Sequence, residues 1–210
     1  MGRPINQQRR NDLLDAAVDY AVHNGFSEVS WRTVAAALDV SPTALVHHFG
    51  TKEEMLVAIL GRLRERIVGA MNDRPGQRTD LEAAARRAWK GASNPQRGGE
   101  YRLFFAVYGR ALQAPEPFAE FLEHVVADWM RALVQAQGPD IDPTTATCTA
   151  TLVIATIRGL LLDLLATGDR DRVEHAAEHF LASLKPQAPA NAPTAHHAGQ
   201  NTTSYSRAEA

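Results

Sequence analysis

The stretch SWRTVAAALDVSPTALVHHFGTKEEML, residues 30–56, decides how this chain is read. It spells a short helix, a tight turn, a second short helix and the start of a longer third. Ser30 is an N-cap for the first helix, and Val34, Ala35 and Leu38 give it an apolar face. Asp39-Val40 forms the turn, because Asp enters the left-handed backbone region at lower cost than most residues. Ser41 caps the second helix. Pro42 takes its first position, where a missing N–H is no loss. Leu45 and Phe49, four apart, point inward together. Gly50 breaks the helix, and Thr51 to Glu54 (TKEE) is a capping box that opens the third. The pattern is a helix-turn-helix, a unit that holds its second helix in a DNA groove.

Upstream, residues 1–8 read as a flexible arm whose cationic charges are Arg3, Arg9 and Arg10. A helix over about 8–23 follows. It buries Leu13, Leu14, Ala17, Val18 and Ala21 and exposes Asp12, Asp15 and Asp19. Asn24-Gly25 ends it, and Phe26 and Val29 pack the connection. Downstream, a helix over about 52–71 carries Leu56, Ile59, Leu60, Leu63, Ile67 and Met71 as a continuous stripe. Residues 72–76 (NDRPG) end it.

The remainder is also helical. Helices are expected over about 80–92, 100–113, 116–137, 144–167 and 169–184, with no strand pattern and no internal repeat. Their apolar faces include Trp89, Phe104, Leu112, Phe121, Leu133, Val173 and Leu184. The 144–167 helix turns from small and polar to apolar almost all round, so all of its sides must be covered. From Lys185 the Pro/Ala/Asn/Thr-rich sequence reads as a disordered tail. The chain thus divides into an arm and helix-turn-helix (1–51), a bridging helix (52–71), a helical body (72–184) and a tail (185–210). The fold class is all-α with about nine helices.

The 210 residues are 45% apolar with 7% aromatic residues, so a real core forms mainly from aliphatic side chains. Net charge is −2, and residues 1–71 carry eight Lys/Arg against eight Asp/Glu. DNA binding must therefore come from local placement rather than bulk charge. The single cysteine, Cys148, excludes an internal disulfide and fits a reducing cytosol. Residues 1–10 have no signal-peptide core. The apolar run 151–166 holds Arg158 and Asp163 and is short for a membrane span. The protein is expected in the cytoplasm, with no metal or cofactor. His47-His48 diverge by about 100° on a helix and cannot share an ion well. His196-His197 have no acid or thiol nearby. Cys148 with His124 or Asp128 would be needed for an enzyme, but no oxyanion-hole motif accompanies them.

Residues 9–60 resemble the DNA-binding domain of the tetracycline-repressor (TetR) family. The matching residues are Leu13-Leu14, Ala16-Ala17, Gly25-Phe26, Ser30 with Val34-Ala35, Val40-Ser41, Leu45 through Phe49, and Lys52 through Leu56. Arg158-Gly159-Leu160 is similar to the family's acidic-Gly-Leu element, with Arg in place of the acid. Asp39 and Val46 also depart, from a Gly and a Tyr. The resemblance implies a dimeric regulator that binds an operator in double-stranded DNA and answers to a small-molecule effector, most commonly as a repressor.

By this resemblance the DNA contacts are Pro42, Thr43, Ala44, Val46, His47 and His48, with Arg32 and Lys52. The arm residues Arg3, Arg9 and Arg10 follow the backbone or enter the minor groove. The second helix of the pair carries no Arg, Lys, Asn or Gln for bidentate base contacts. Two readings of Val46 stand: contact with thymine methyls, or packing within a phosphate-dominated interface. The resemblance places a ligand pocket in the helices over 80–137 and a dimeric four-helix bundle in those over 144–184. Phe104, Phe105, Tyr108, Trp129 and Cys148 are pocket candidates, though aromatic residues at this spacing are more often core. Leu152, Ile157, Leu160, Leu161, Leu164 and Phe180 are dimer candidates. Arg158 and Asp163 point about 140° apart, so they pair across a dimer, line the pocket, or simply reach the rim. The competing function is a helical binding module of the same fold that does not engage DNA.

Overall fold

A computed structural model describes residues 6–25, 29–69 and 80–185. The expectations for Arg3, Phe26, Met71, the 72–76 turn, His196-His197 and the tail beyond Lys185 lie outside these residues. Among the described residues there are ten α-helices and no strand: α1 Gln7–Asn24, α2 Trp31–Ala37, α3 Pro42–Phe49, α4 Lys52–Gly69, α5 Leu81–Ala92, α6 Gly98–Gln113, α7 Ala119–His124, α8 Ala127–Ala136, α9 Pro143–Thr167 and α10 Arg170–Ser183. Single 3₁₀ turns precede α6 and α7.

Short polar side chains start most of these helices. Asn6, Ser30, Ser41, Asp80, Asp142 and Asp169 each accept a bond from the backbone N–H three residues on. α4 opens on the TKEE box. Thr51 N–H donates to Glu54 Oε2 at 2.6 Å, and Glu54 N–H donates to Thr51 Oγ1 at 3.2 Å. Asp39 sits at φ 51°, the left-handed value the turn needs, and Gly50 at φ 75° ends α3. A Cβ on Gly50 would lie 2.2 Å from the Glu54 carboxylate, so glycine both makes the bend and leaves room for the cap.

One apolar core runs through the molecule. In the helix-turn-helix it gathers Leu13, Val18, Val34, Leu45, Phe49 and Met55. Along α4 it continues through Ile59, Leu60, Leu63 and Ile67 into α5, α6, α8 and α9. α4 is therefore shared between the helix-turn-helix and the body, and its 18 residues span about 27 Å.

Three expectations are corrected. The 116–137 helix is broken: a 3₁₀ turn, α7 and α8 replace it, with the interruption at Val125-Val126. Two adjacent β-branched residues weaken the helix there. Arg158 Nη2 takes up the Val125 carbonyl at 2.8 Å. Leu112 is not core but 66% exposed, on the outer side of α6. Asp15 does not face solvent freely. It accepts Arg62 Nη1 at 2.8 Å and Arg66 Nη2 at 3.1 Å, and Asp19 accepts Arg66 Nη1 at 2.6 Å, which clamps α1 to α4. As a single chain of this size with few internal partners leads one to expect, α9 has one side open. Cys148, Leu152, Ala155, Gly159, Leu162 and Ala166 form an exposed seam, with Leu152 66% and Leu162 52% exposed. α9 is long and apolar enough to cross a membrane by length and composition, but its other face is packed into the core through Val153, Ile154 and Ile157.

Candidate DNA interface and interior cavity

The helix-turn-helix presents α3 with its apolar side down. Leu45 and Phe49 are buried, while Pro42, Thr43, Val46 and His47 are exposed and Ala44 is half-buried. Val46 is 45% exposed, an open aliphatic surface in the middle of the outer face. Arg32, in the first turn of α2, and Lys52, at the first position of α4, are both exposed on flanking elements. The α4 N-terminus adds free N–H groups and the positive end of a helix dipole.

Arg9 and Arg10 belong to α1 rather than to an arm, because Asn6 caps that helix. Arg9 is exposed. Arg10 folds back: its Nε donates to the His48 carbonyl at 3.2 Å, and its guanidinium lies 5.3 Å from the Phe49 ring centroid. It braces the end of α3 against α1. His48 is half-buried, and its Nδ1 is buried without a hydrogen-bond partner among the described residues. Desolvation, then the neighbouring charges of His47, Arg9 and Arg10, hold this imidazole below 6.5, so it is mainly neutral at pH 7. His48 is thus more a packing group than an outward contact.

The even charge count of the first 71 residues does not say where the charges sit. Arg62 and Arg66 are taken up by Asp15 and Asp19, and Arg64 by Asp128 on α8. These three cations are paired with carboxylates away from α3, while the carboxylates Asp39 and Glu53 stay exposed at its two ends. Arg9, Arg32 and Lys52 remain around the outer face of the helix-turn-helix.

In the body, a cavity of about 20 Å³ lies between α4, α5, α6, α8 and α9. That volume holds about one water. Its walls are Tyr101, Phe104, Phe105 and Trp129 with Ile67 and Leu161, and two arginines, Arg64 and Arg158, reach it. Three of the aromatic candidates, Phe104, Phe105 and Trp129, line it. Tyr108 stands behind Arg158, with the guanidinium carbon 5.7 Å from its ring centroid and 5.7 Å from that of Phe104. Burial pushes the Tyr101 phenol up to about 12, so that wall stays uncharged.

Cys148 is corrected: it is exposed on α9, far from serving this cavity as a wall. Of the dimer candidates, Ile157, Leu161 and Leu164 are corrected too, because each is buried inside a single chain. Leu152 is exposed, and Leu160 and Phe180 are half-buried. Ala155, Gly159, Leu162 and Ala166 follow Leu152 at alternating steps of three and four and are exposed with it. Three of the four are small, a weaker pattern in sequence than a repeat of leucines. Arg158 lines the cavity, whereas Asp163 turns outward to accept both Arg172 nitrogens at 2.8 Å. Among the described residues no group of three or more His, Cys, Asp or Glu side chains is placed to hold a metal.

Residues 13–59 match the family model for bacterial regulatory proteins, tetR family. Over 124 residues the chain is 32% identical to the HTH-type transcriptional regulator BetI of Rhizobium meliloti (strain 1021), covering 50% of this chain and 61% of that one. The match therefore spans less than two thirds of that relative's length. A solved transcriptional regulator from Rhodococcus sp. Rha1 superposes with a TM-score of 0.71 at 26% identity, covering 83% of this chain and 95% of that one. The multidrug binding protein EbrR, solved with imidazole, superposes with a TM-score of 0.61 at 28% identity, covering 88% and 94%. Residues 13–59 are therefore similar to the DNA-binding domain of tetR-family regulatory proteins, and the chain as a whole is similar in fold to solved transcriptional regulators.

Proposed function

We propose that this protein is a cytoplasmic, dimeric, DNA-binding transcriptional regulator, a repressor that leaves its operator when a small molecule enters the interior cavity. The observation that carries this is the double duty of α4. Its first turn flanks the exposed face of α3, and its last turns put Arg64 and Ile67 into the cavity wall. A ligand that favours one position of this helix shifts the population of DNA-competent heads, by a coupling of about 1–3 kcal/mol. α6 gives a second route, since it lines the cavity and touches α1 where Gly99 meets Val22. The named relatives are regulators, and EbrR was solved with a small molecule bound, which favours a binding rather than a catalytic role for the cavity.

In this reading residues 1–51 form the head, 52–71 the lever and 72–184 the body. Arg32, Thr43, Val46, His47 and Lys52 meet DNA, with Pro42 and Ala44 at close approach and Arg3 and Arg9 on the backbone. The exposed α9 seam, with Leu160 and Phe180 at its edges, meets its own copy across a two-fold axis. Small residues at Ala155 and Gly159 allow two such helices to approach closely. Two-fold symmetry then sets the two α3 helices about one DNA turn apart, roughly 34–36 Å.

Selection of genomic fragments with the purified protein tests this. Enrichment of a (pseudo)palindromic sequence beside a promoter, bound in a salt-dependent way, is the expected result. No enrichment over bulk DNA means a helical binding module without operator function.

A further inference from the structure

The cavity's charges are uneven. Two guanidiniums reach it, Arg64 and Arg158. Arg64 is paired with Asp128. Arg158 has no carboxylate within ion-pairing distance among the described residues. Its partners are the Val125 carbonyl at 2.8 Å, the side-chain oxygen of Tyr108 and the faces of Phe104 and Tyr108, none of them a carboxylate. Cation–π contacts, one carbonyl and one phenol oxygen offset only part of the cost of desolvating a cation. Burial accordingly lowers the pKa of Arg158, yet a guanidinium stays protonated at neutral pH. A positive charge is thus held ready in a wall that is otherwise aromatic and aliphatic.

We propose that the cavity takes a small molecule with one carboxylate and an apolar, preferably aromatic, body, the carboxylate pairing with the guanidinium of Arg158. The proposal rests on reading this cavity as the effector site. A monoanion restores neutrality where one cation is uncompensated, and a planar carboxylate fits the guanidinium fork with two parallel bonds. A cationic ligand would put a second positive charge into a low-dielectric site. A neutral one would leave Arg158 unpaired and remove its access to water. The body of the ligand must displace side chains, because the resting volume holds only about one water. Phe105, half-buried at the wall, is the side chain with most room to swing.

Thermal shift and calorimetric titration of the full chain with benzoate, phenylacetate, 2-naphthoate and decanoate test this, each beside its primary amide and the corresponding primary amine. At least one carboxylate should bind tenfold or more tightly than its amide, and the amines should not bind. Arg158→Leu should reduce the acid-to-amide preference to threefold or less, while Arg158→Lys should keep part of it. The proposal is overturned if no carboxylate binds, if an amide matches its acid, or if Arg158→Leu retains the preference. The wild-type comparison decides the matter even if a variant misfolds. Arg158-dependent carboxylate binding that leaves the affinity for selected DNA unchanged supports the anion site and overturns the effector reading instead.

Discussion

Arg64 of α4 is ion-paired with Asp128 of α8 at the edge of the interior cavity, so the helix that supports the helix-turn-helix is tied to the wall of the body by a charge pair. The pair is only partly buried, with side chains 31% and 23% exposed. Asp128→Ala leaves Arg64 without its counter-ion. We expect a loss of about 1–2 kcal/mol in urea unfolding, below the 3–5 of a fully buried pair. Operator affinity should also change, although residue 128 is remote from α3. Fluorescence anisotropy with the selected DNA measures this, and an unaltered affinity would remove the pair from the coupling route.

Gly99 marks the second contact between body and head. A Cβ there would lie 2.9 Å from Val22 Cγ1 and 3.0 Å from the Val22 carbonyl oxygen, and the carbonyl cannot swing aside. Gly99→Ala should push α6 from α1 and cost about 1–3 kcal/mol by thermal or urea unfolding. Gly61→Ala, where a Cβ meets nothing within 4 Å, is the control and should be neutral or slightly stabilising.

Replacing a seam residue should separate subunits without unfolding them. Leu152→Glu or Leu162→Glu puts a charge on an exposed position, so helix content should persist while sedimentation shifts to the monomer and operator affinity falls. Leu161→Ala, one position along, empties a buried site and should cost about 2–5 kcal/mol of fold stability. If Leu152→Glu and Leu162→Glu both remain dimeric, the seam is not the interface.

On the DNA side, Arg32→Ala should weaken binding to all sequences and reduce the slope of log affinity against log salt by about 1 if its contact is a phosphate. Thymine-to-uracil replacement across each half-site should cost up to about 0.8 kcal/mol for each methyl packed on Val46 or Thr43. Unchanged affinity would leave Val46 as a packing residue only.

Stability should fall in two acid steps. His48 is held below 6.5, so folding favours its neutral form; that contribution is full above pH 6.5 and is lost as pH falls beneath it. Glu54 is held below 4.5 by the Thr51 N–H, then by the Thr51 hydroxyl. Its contribution is present above pH 4.5 and is lost as pH falls further. Thermal midpoints from pH 7 to 3 should show His48→Gln flattening the first step and Glu54→Gln reducing the second, which Asp142 and Asp163, also held low, share. Parallel curves for wild type and variant would refute the assignment.

Local signals carried most of the fold. Ser30, Ser41 and the TKEE box act within three or four residues of backbone. Asp39 and Gly50 answer a demand on φ at one position. The 3.6-residue period of Leu13 through Ala21 and of Leu56 through Ile67 names the buried face of a helix without naming what covers it. These features sufficed for the all-α class, the helix-turn-helix and the outward set on α3.

What needed the tertiary structure was every question of which face meets which neighbour. Asp15 read as exposed because polar periodicity does not show that Arg62 and Arg66 lie opposite. The apolar surroundings of α9 could not be divided into a core face and an open seam, so Ile157, Leu161 and Leu164 were grouped with Leu152. The break at Val125 and the inward turn of Arg158 depend on each other across more than thirty residues of chain, and no local pattern encodes such a pair. By itself, then, the sequence determined the elements and the reading head, through caps, glycines and periodicity acting over one or two turns. The charge and walls of the cavity, and the surface left for a partner, were decided only by packing, because burial and counter-charge belong to the neighbours that folding brings together.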